Sequence, residues 1–235
     1  MEPFSVDHEA STVQASARRV RRPRKTTGER RTQAERSAET QRRLIDAAIT
    51  VLHRVGYGAT TTGLIADEAG VSRGAMLHQY PTKIDLMLAV VAEVYSRETE
   101  EYRRRGALAA TPRERFYQFP DLMWDVLTRP SAMAVLEILM GSRSDEALAA
   151  GLAPLQRQIE ATSRVTIEGI LKEGGFPELP EVNAMRRLFV AAVRGLSIDL
   201  MLLRDRAELD GAVALLKRLL RALYDGDVPP PRPPA

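Results

Sequence analysis

The residues with the most specific chemistry lie in one run, Ile65-Ala66-Asp67-Glu68-Ala69-Gly70-Val71-Ser72-Arg73-Gly74-Ala75-Met76. Two short helices joined by a tight turn must cross closely and at a steep angle. That crossing needs a small residue where the helices touch, and Ala66 is small. It needs a residue that tolerates positive φ in the turn, which Gly70 supplies. Ile65, Val71 and Met76 are placed to seal the pair. Ser72 is a suitable cap for the second helix, whose first turn can then face a phosphate or a base edge. Other chemistries lack their parts. There is no cysteine, and the three histidines (His8, His53, His78) share no helical ligand spacing. No Gly-rich phosphate loop, nucleophile elbow or His-Glu-x-x-His occurs. Catalytic, metal and cofactor sites are all expected to be absent.

The elements that must position this run read as helices throughout. Leu44, Ala48, Leu52 and Val55, widened by Ile45 and Val51, form an amphipathic stripe from Ser37 onward, which Gly56 and Gly58 around Tyr57 should end. Thr60, Thr61 and Thr62 offer a cap for a helix over 63–69. Ser72 opens another to about Gln79, which Pro81 stops. A further helix from Lys83 buries Ile84, Met87, Val90, Val91 and Val94. Beyond it, Thr111-Pro112-Arg113-Glu114 reads as a capping box. Pro120 and Pro130 divide the next segments. A long helix spans about 145–173, another about 180–204, and a last one about 208–224.

The 235 residues include 44% hydrophobic side chains, enough for a sizeable core, and the net charge is only +3. Its distribution is uneven. From Arg18 to Arg43 there are eleven basic residues against three acidic ones, so a basic end sits on an otherwise slightly acidic chain. A polyanionic partner or a solvated tail both fit that pattern. No signal core or membrane-spanning run is visible, and a cytoplasmic protein with no membrane partner is expected. The expected organisation is a basic disordered arm over 1–36, a helix-turn-helix domain over 37–93, a helical domain over 94–226 and a Pro-rich tail over 227–235. The fold class is all-α.

The block from Val55-Gly56-Tyr57-Gly58-Ala59-Thr60-Thr61-Thr62 through Gly70-Val71-Ser72-Arg73-Gly74 to Tyr80-Pro81-Thr82-Lys83 resembles the DNA-binding domain of tetracycline-repressor (TetR) family regulators. The likeness covers about residues 40–94. It implies a transcriptional regulator, typically a repressor, that binds a double-stranded DNA operator. By that resemblance Thr60 and Thr62 contact phosphates, and Ser72, Arg73 and Gly74 open the recognition helix, with Arg73 facing a guanine edge. His78 and Gln79 approach phosphate or bases, and Lys83 pairs with phosphate beside the amides of its own helix start. Leu77 departs from the pattern, standing where a phosphate-contacting tyrosine is frequent; it can touch a thymine methyl instead. A sequence-blind nucleoid-type binder using the basic arm, or a small helical enzyme, remain the alternatives.

The resemblance also implies a small-molecule effector and a homodimer, with effector binding swinging the fourth helix and changing the spacing of the two reading helices. For the effector pocket the bulky residues Phe116, Phe119, Met123, Trp124, Leu127, Met140 and Phe176 are the candidates. For the dimer, Met185, Phe189, Ala192, Leu196 and Leu200 form one apolar strip and Leu215 and Leu219 another, so that two helices from each subunit build a four-helix bundle. Packing of both strips within one subunit is the competing arrangement.

Overall fold

A computed structural model describes residues 32–203 and 205–226; the expected arm over 1–31 and the Pro-rich tail over 227–235 lie outside the described residues. Among the described residues every element is a helix. The first, α1 (Gln33–Ala59), starts four residues before the expected Ser37. Thr32 caps it, accepting from the Glu35 amide at 3.2 Å while the Glu35 carboxylate accepts from the Thr32 amide at 2.7 Å. Leu44, Ile45, Ala48, Val51 and Leu52 are buried as the stripe required, but Val55 at its end is exposed. Gly56 takes φ 74°, ψ 172°, breaking the helix before a last turn over 57–59.

Then follow α2 (Thr62–Ala69), α3 (Arg73–Gln79) and α4 (Lys83–Gly106), the last opened by a Thr82/Asp85 capping box. α4 runs unbroken past residue 93, so the expected domain boundary falls within one helix. The chain continues through α5 (Pro112–Leu127), α6 (Pro130–Gly141), α7 (Glu146–Glu173), α8 (Val182–Leu203) and α9 (Arg206–Asp225). Pro120 does not divide its segment. It is buried inside α5, where packing against α7, α8 and α9 outweighs the one backbone hydrogen bond that proline cannot make. At the start of α5, Thr111 accepts from the Glu114 amide, but the Glu114 carboxylate reaches Ala110 rather than closing a box on Thr111.

Three apolar clusters hold these helices. The first joins Leu44, Leu52, Ile65, Met76 and Val90 of α1–α4 to Ala134, Val135 and Ile138 of α6 and to Leu148 and Leu152 of α7. The amino-terminal helices therefore share one core with α6 and α7. The second gathers Phe116, Tyr117, Phe176 and Tyr224 with Ile167, Leu171 and Met185. The third gathers Met123, Trp124, Val193, Leu209 and Val213. None of the described helices is long and apolar enough to cross a membrane.

Candidate nucleic-acid interface

The crossing of α2 and α3 is built from the parts singled out in the sequence. Gly70 ends α2 in the left-handed region at φ 61°, and the next amide, of Val71, donates back to the Ala66 carbonyl at 3.0 Å. The Arg43 guanidinium, arriving from α1, donates to the carbonyls of Ala69 at 2.5 Å and Gly70 at 3.2 Å. A cation on the last carbonyls of a helix meets the negative end of its dipole, so Arg43 fixes where α2 stops. Ile65, Ala66 and Met76 are buried between the two helices. Ser72 caps α3, accepting from the Ala75 amide at 3.1 Å. With Met76 turned inward, Ser72, Arg73, Gly74, Leu77 and His78 form the outer face; Leu77 is 41% exposed. Neither Arg73 nor His78 has a side-chain partner among the described residues.

Two expected phosphate contacts are corrected. Thr60 is 2% exposed, and its hydroxyl donates to the Gly56 carbonyl at 2.6 Å, satisfying the backbone left open by the broken helix. Lys83 also turns inward. Its Nζ donates to the Tyr57 carbonyl at 2.8 Å and lies 3.8 Å from the centre of the Tyr57 ring. Burial lowers its pKa from the usual lysine value, with Asp145 acting in the other direction. Thr62, the first residue of α2, is partly buried, and the cap itself is Thr61. The Gln79 Oε1 accepts from Ser37 at 3.1 Å, which ties the end of α3 to α1.

A family profile described as bacterial regulatory proteins, tetR family, matches residues 44–90, from within α1 through α2 and α3 into the start of α4. The HTH-type transcriptional regulator CymR of Pseudomonas putida is 33% identical over 181 residues, which is 75% of this chain and 87% of CymR. The chain belongs to the tetR family. Among solved structures, a TetR transcription regulator from Haloarcula marismortui overlays with a TM-score of 0.64 at 21% identity, covering 77% of this chain and 96% of that one. LfrR from Mycobacterium smegmatis, in complex with proflavine, overlays at 0.54 with 21% identity, covering 75% and 92%. As a tetR-family member the protein is a helix-turn-helix transcriptional regulator that binds DNA.

What the sequence concealed in this regulator is the junction around Tyr57. Tyr57 gathers four groups from three helices. Besides Lys83 from α4, its amide donates to the Glu137 carboxylate of α6 at 3.0 Å, and its hydroxyl donates to the Asp145 carboxylate at the start of α7 at 2.7 Å. Burial first, and then Asp145, push the Tyr57 hydroxyl up to about 12, so it remains a donor at any physiological pH. Its ring lies on Gly141, where a Cβ would come within 2.3 Å of Cδ1. Tyr57 stood out only as a residue between two helix-stopping glycines; its partners, 80 and 88 residues away, left no local signal.

The expected pocket residues gather in two apolar clusters joined by Phe119, with Met140 apart, and do not line one cavity. Phe116 and Phe176 meet at a tilt within the second cluster, 4.8 Å between centroids, while Phe119, Met123 and Trp124 pack against α8 and α9. Met140 is half exposed at the end of α6. They are core or surface because α5 presents its aromatic face to its neighbours rather than to a void. A small cavity of about 20 Å³ lies instead between α4, α6 and α8, and of the expected residues only Leu127 lines it. Its polar groups are Tyr95, Glu98, Arg194 and Ser197. Burial pushes Glu98 up to about 7, with Arg194 and then Arg129 only partly offsetting it.

That shift has a measurable consequence. A carboxyl held above its unfolded value contributes full stability below about pH 4.5, and this is lost as pH rises through about 7. Glu98→Gln should therefore match the parent near pH 4.5. It should be more stable by about 1–3 kcal/mol at pH 8 after allowance for solvent screening. Chemical denaturation across that range reads the difference, and a constant offset at every pH would remove Glu98 as its source.

The dimer strips are also redistributed. Met185 and Phe189 pack in the second cluster and Leu196 and Leu200 against the third, so these four serve the subunit's own core. Ala192 is partly buried, while Leu215 and Leu219 are exposed. The outer face of α8 is instead Leu188, Ala191, Ile198 and Leu202, with Leu188 66% and Leu202 75% exposed. These follow one another by three, seven and four residues, a helical stripe that the wider apolar pattern of α8 concealed.

Proposed function

We propose that this regulator is ligand-responsive and sequence-specific, acting as a repressor that holds a palindromic operator as a homodimer. The carrying observation is the outward face of α3, whose capped first turn bears Arg73 while Met76 anchors it from behind. In this reading the DNA-binding part extends from Thr32 through the first half of α4, and the remaining helices form the effector and dimer part. Ser72, Arg73, Gly74, Leu77 and His78 meet the major groove, with Thr62 and Gln79 at its edges. The outer stripe of α8 and Leu215 and Leu219 of α9 meet the same surfaces of a second copy; apolar side chains so exposed in one stripe call for a partner.

Effector response passes through Tyr57. The α4 and α6 walls of the cavity each contribute one residue to it, Lys83 and Glu137, so widening the cavity strains both contacts. An effector then favours a conformer in which the two reading helices no longer match a helical turn of about 34–36 Å.

Selection of bound sequences from a random duplex pool tests the reading. A palindrome preferred about 10³-fold or more over random duplex is expected; equal retention of all sequences would make it a nonspecific binder. Arg73→Ala should lose about 1–3 kcal/mol of discrimination at one base pair of each half-site. Lys83→Met, by contrast, should leave the salt dependence of duplex binding unchanged, since the ammonium is spent on Tyr57. A slope shallower by about one would return Lys83 to the phosphates.

A further inference from the structure

The cavity between α4, α6 and α8 combines an apolar wall with two charged groups that have not paired. Leu127, Met133, Leu136 and Leu139 form the wall. Glu98 and Arg194 border the same space, yet no ion pair joins them and the Glu98 carboxyl has no hydrogen-bond partner among the described residues. Both side chains are partly buried, and a carboxyl and a guanidinium that border one partly apolar cavity without pairing are the polar groups a ligand there would meet. The present volume, about 20 Å³, admits roughly one water. A larger guest enters by displacing the flexible side chains of Met133, Leu136 and Leu139 on α6, the helix that also carries Glu137.

Charge balance selects the guest. An ammonium ligand would leave two cations against one carboxylate, a net positive charge in an apolar chamber. A carboxylate ligand on Arg194 balances that cation, provided Glu98 takes a proton from solvent, and the protonated Glu98 then donates to the ligand oxygen. A guanidinium cannot lose its charge, whereas a carboxyl readily takes up a proton, so the adjustment falls on Glu98. We propose that the effector of this regulator is an amphipathic organic acid, its carboxylate on Arg194 and Glu98 and its hydrocarbon body against α6. This rests on the effector-responsive reading above.

The groups that face Glu98 are consistent with such a step. Tyr95 and Tyr102 flank it on α4, Arg194 faces it from α8 and Arg129 from the start of α6. Arg129 is already paired with Glu101, and Glu160 of α7 acts on Tyr95 and Arg194 rather than on Glu98. Arg194, which meets the Tyr95 hydroxyl and the more distant Glu160 but is in no ion pair among the described residues, is thus the cation open to a new anion. Because burial holds Glu98 near 7, it gives up or gains its proton within the ordinary pH range.

Three eight-carbon probes differing only in their heads, octanoate, octanamide and octylammonium, test the assignment by calorimetric titration of the full chain. Octanoate should bind about tenfold or more tightly than the other two at about pH 6. Its affinity should fall about tenfold by about pH 8, as the protonated fraction of Glu98 falls by that factor. Glu98→Gln should remove the pH step while keeping the affinity seen at the lower pH, and Arg194→Met should remove the preference for octanoate over octanamide. Tightest binding of octylammonium, equal binding of all three heads, or no saturable binding of any would overturn the proposal. Release of a selected duplex is read separately. Octanoate that binds with the expected pH step and releases no DNA would leave the ligand class standing and remove the effector reading.

Discussion

Met76→Ala is expected to abolish sequence-selective duplex binding while most of the helical content survives. α3 has seven residues, and helices shorter than about 12–15 are marginal in water unless packing holds them. Here the packing centres on one side chain: Met76 is 0% exposed and is the buried residue of α3. Truncating a fully buried methionine costs about 2–5 kcal/mol, and the loss falls on a helix whose remaining anchors are the partly buried Val71 and Tyr80 at its ends and the Ser37–Gln79 hydrogen bond. Arg73 and His78 then lose the rigid platform that aims them, and binding to a selected operator should weaken by about 100-fold or more. Met76→Leu, which conserves volume, should stay within about 1.5 kcal/mol of the parent and keep its operator. Urea unfolding and duplex titration of both variants check this. Parent-like operator binding by Met76→Ala would mean that DNA is read by some other surface.

Gly141→Ala should disturb the Tyr57 junction more than any polar substitution made there. A methyl at Gly141 would lie 2.3 Å from Cδ1 and 2.5 Å from Cγ of the Tyr57 ring, distances that force the ring away. Ring departure also removes the hydrogen bond to Asp145 and the Lys83 ammonium above the ring. Overpacking costs about 1–3 kcal/mol, and a hydrogen bond to a charged group contributes about 1.5–3 kcal/mol; allowing for their overlap, about 3 kcal/mol is expected. For a protein of this size that lowers Tm by about 6–12 °C. The matched control is Gly58→Ala, whose methyl meets no atom within 4 Å and whose Tm should change little. The functional signature is separate from the thermal one: at temperatures where Gly141→Ala is folded, effector should no longer change its operator affinity. If effector release persists with the ring displaced, the signal runs through other contacts between α1 and α6.

The elements of the helix-turn-helix were legible because each is specified by neighbours in the chain. Ser72 three residues before Ala75, Gly70 at the end of α2 and the buried stripe of α1 act through backbone geometry over one or two turns, and periodicity reports such relations directly. The same locality explains the errors near them. Pro120 read as a divider because its own backbone disfavours a helix, whereas burial against α7, α8 and α9 overrides that preference.

Roles that depend on which way a side chain faces were not legible. Thr60 and Lys83 flank the α2–α3 pair in sequence, but the break at Gly56 opens a carbonyl that draws in one and the Tyr57 carbonyl draws in the other. Strips on α8 looked alike until packing sent Met185, Phe189, Leu196 and Leu200 inward and left Leu188, Ile198 and Leu202 outside. The meeting of Glu98 with Arg194, and of Tyr57 with Glu137 and Asp145, joins residues 80 or more positions apart. The sequence by itself determined an all-helical chain with a capped, glycine-turned pair of short helices, since those follow from short-range backbone chemistry. Only the tertiary structure decided which charges reach solvent, which close a junction and which are left open to a cavity, because desolvation and pairing are properties of the packed neighbourhood.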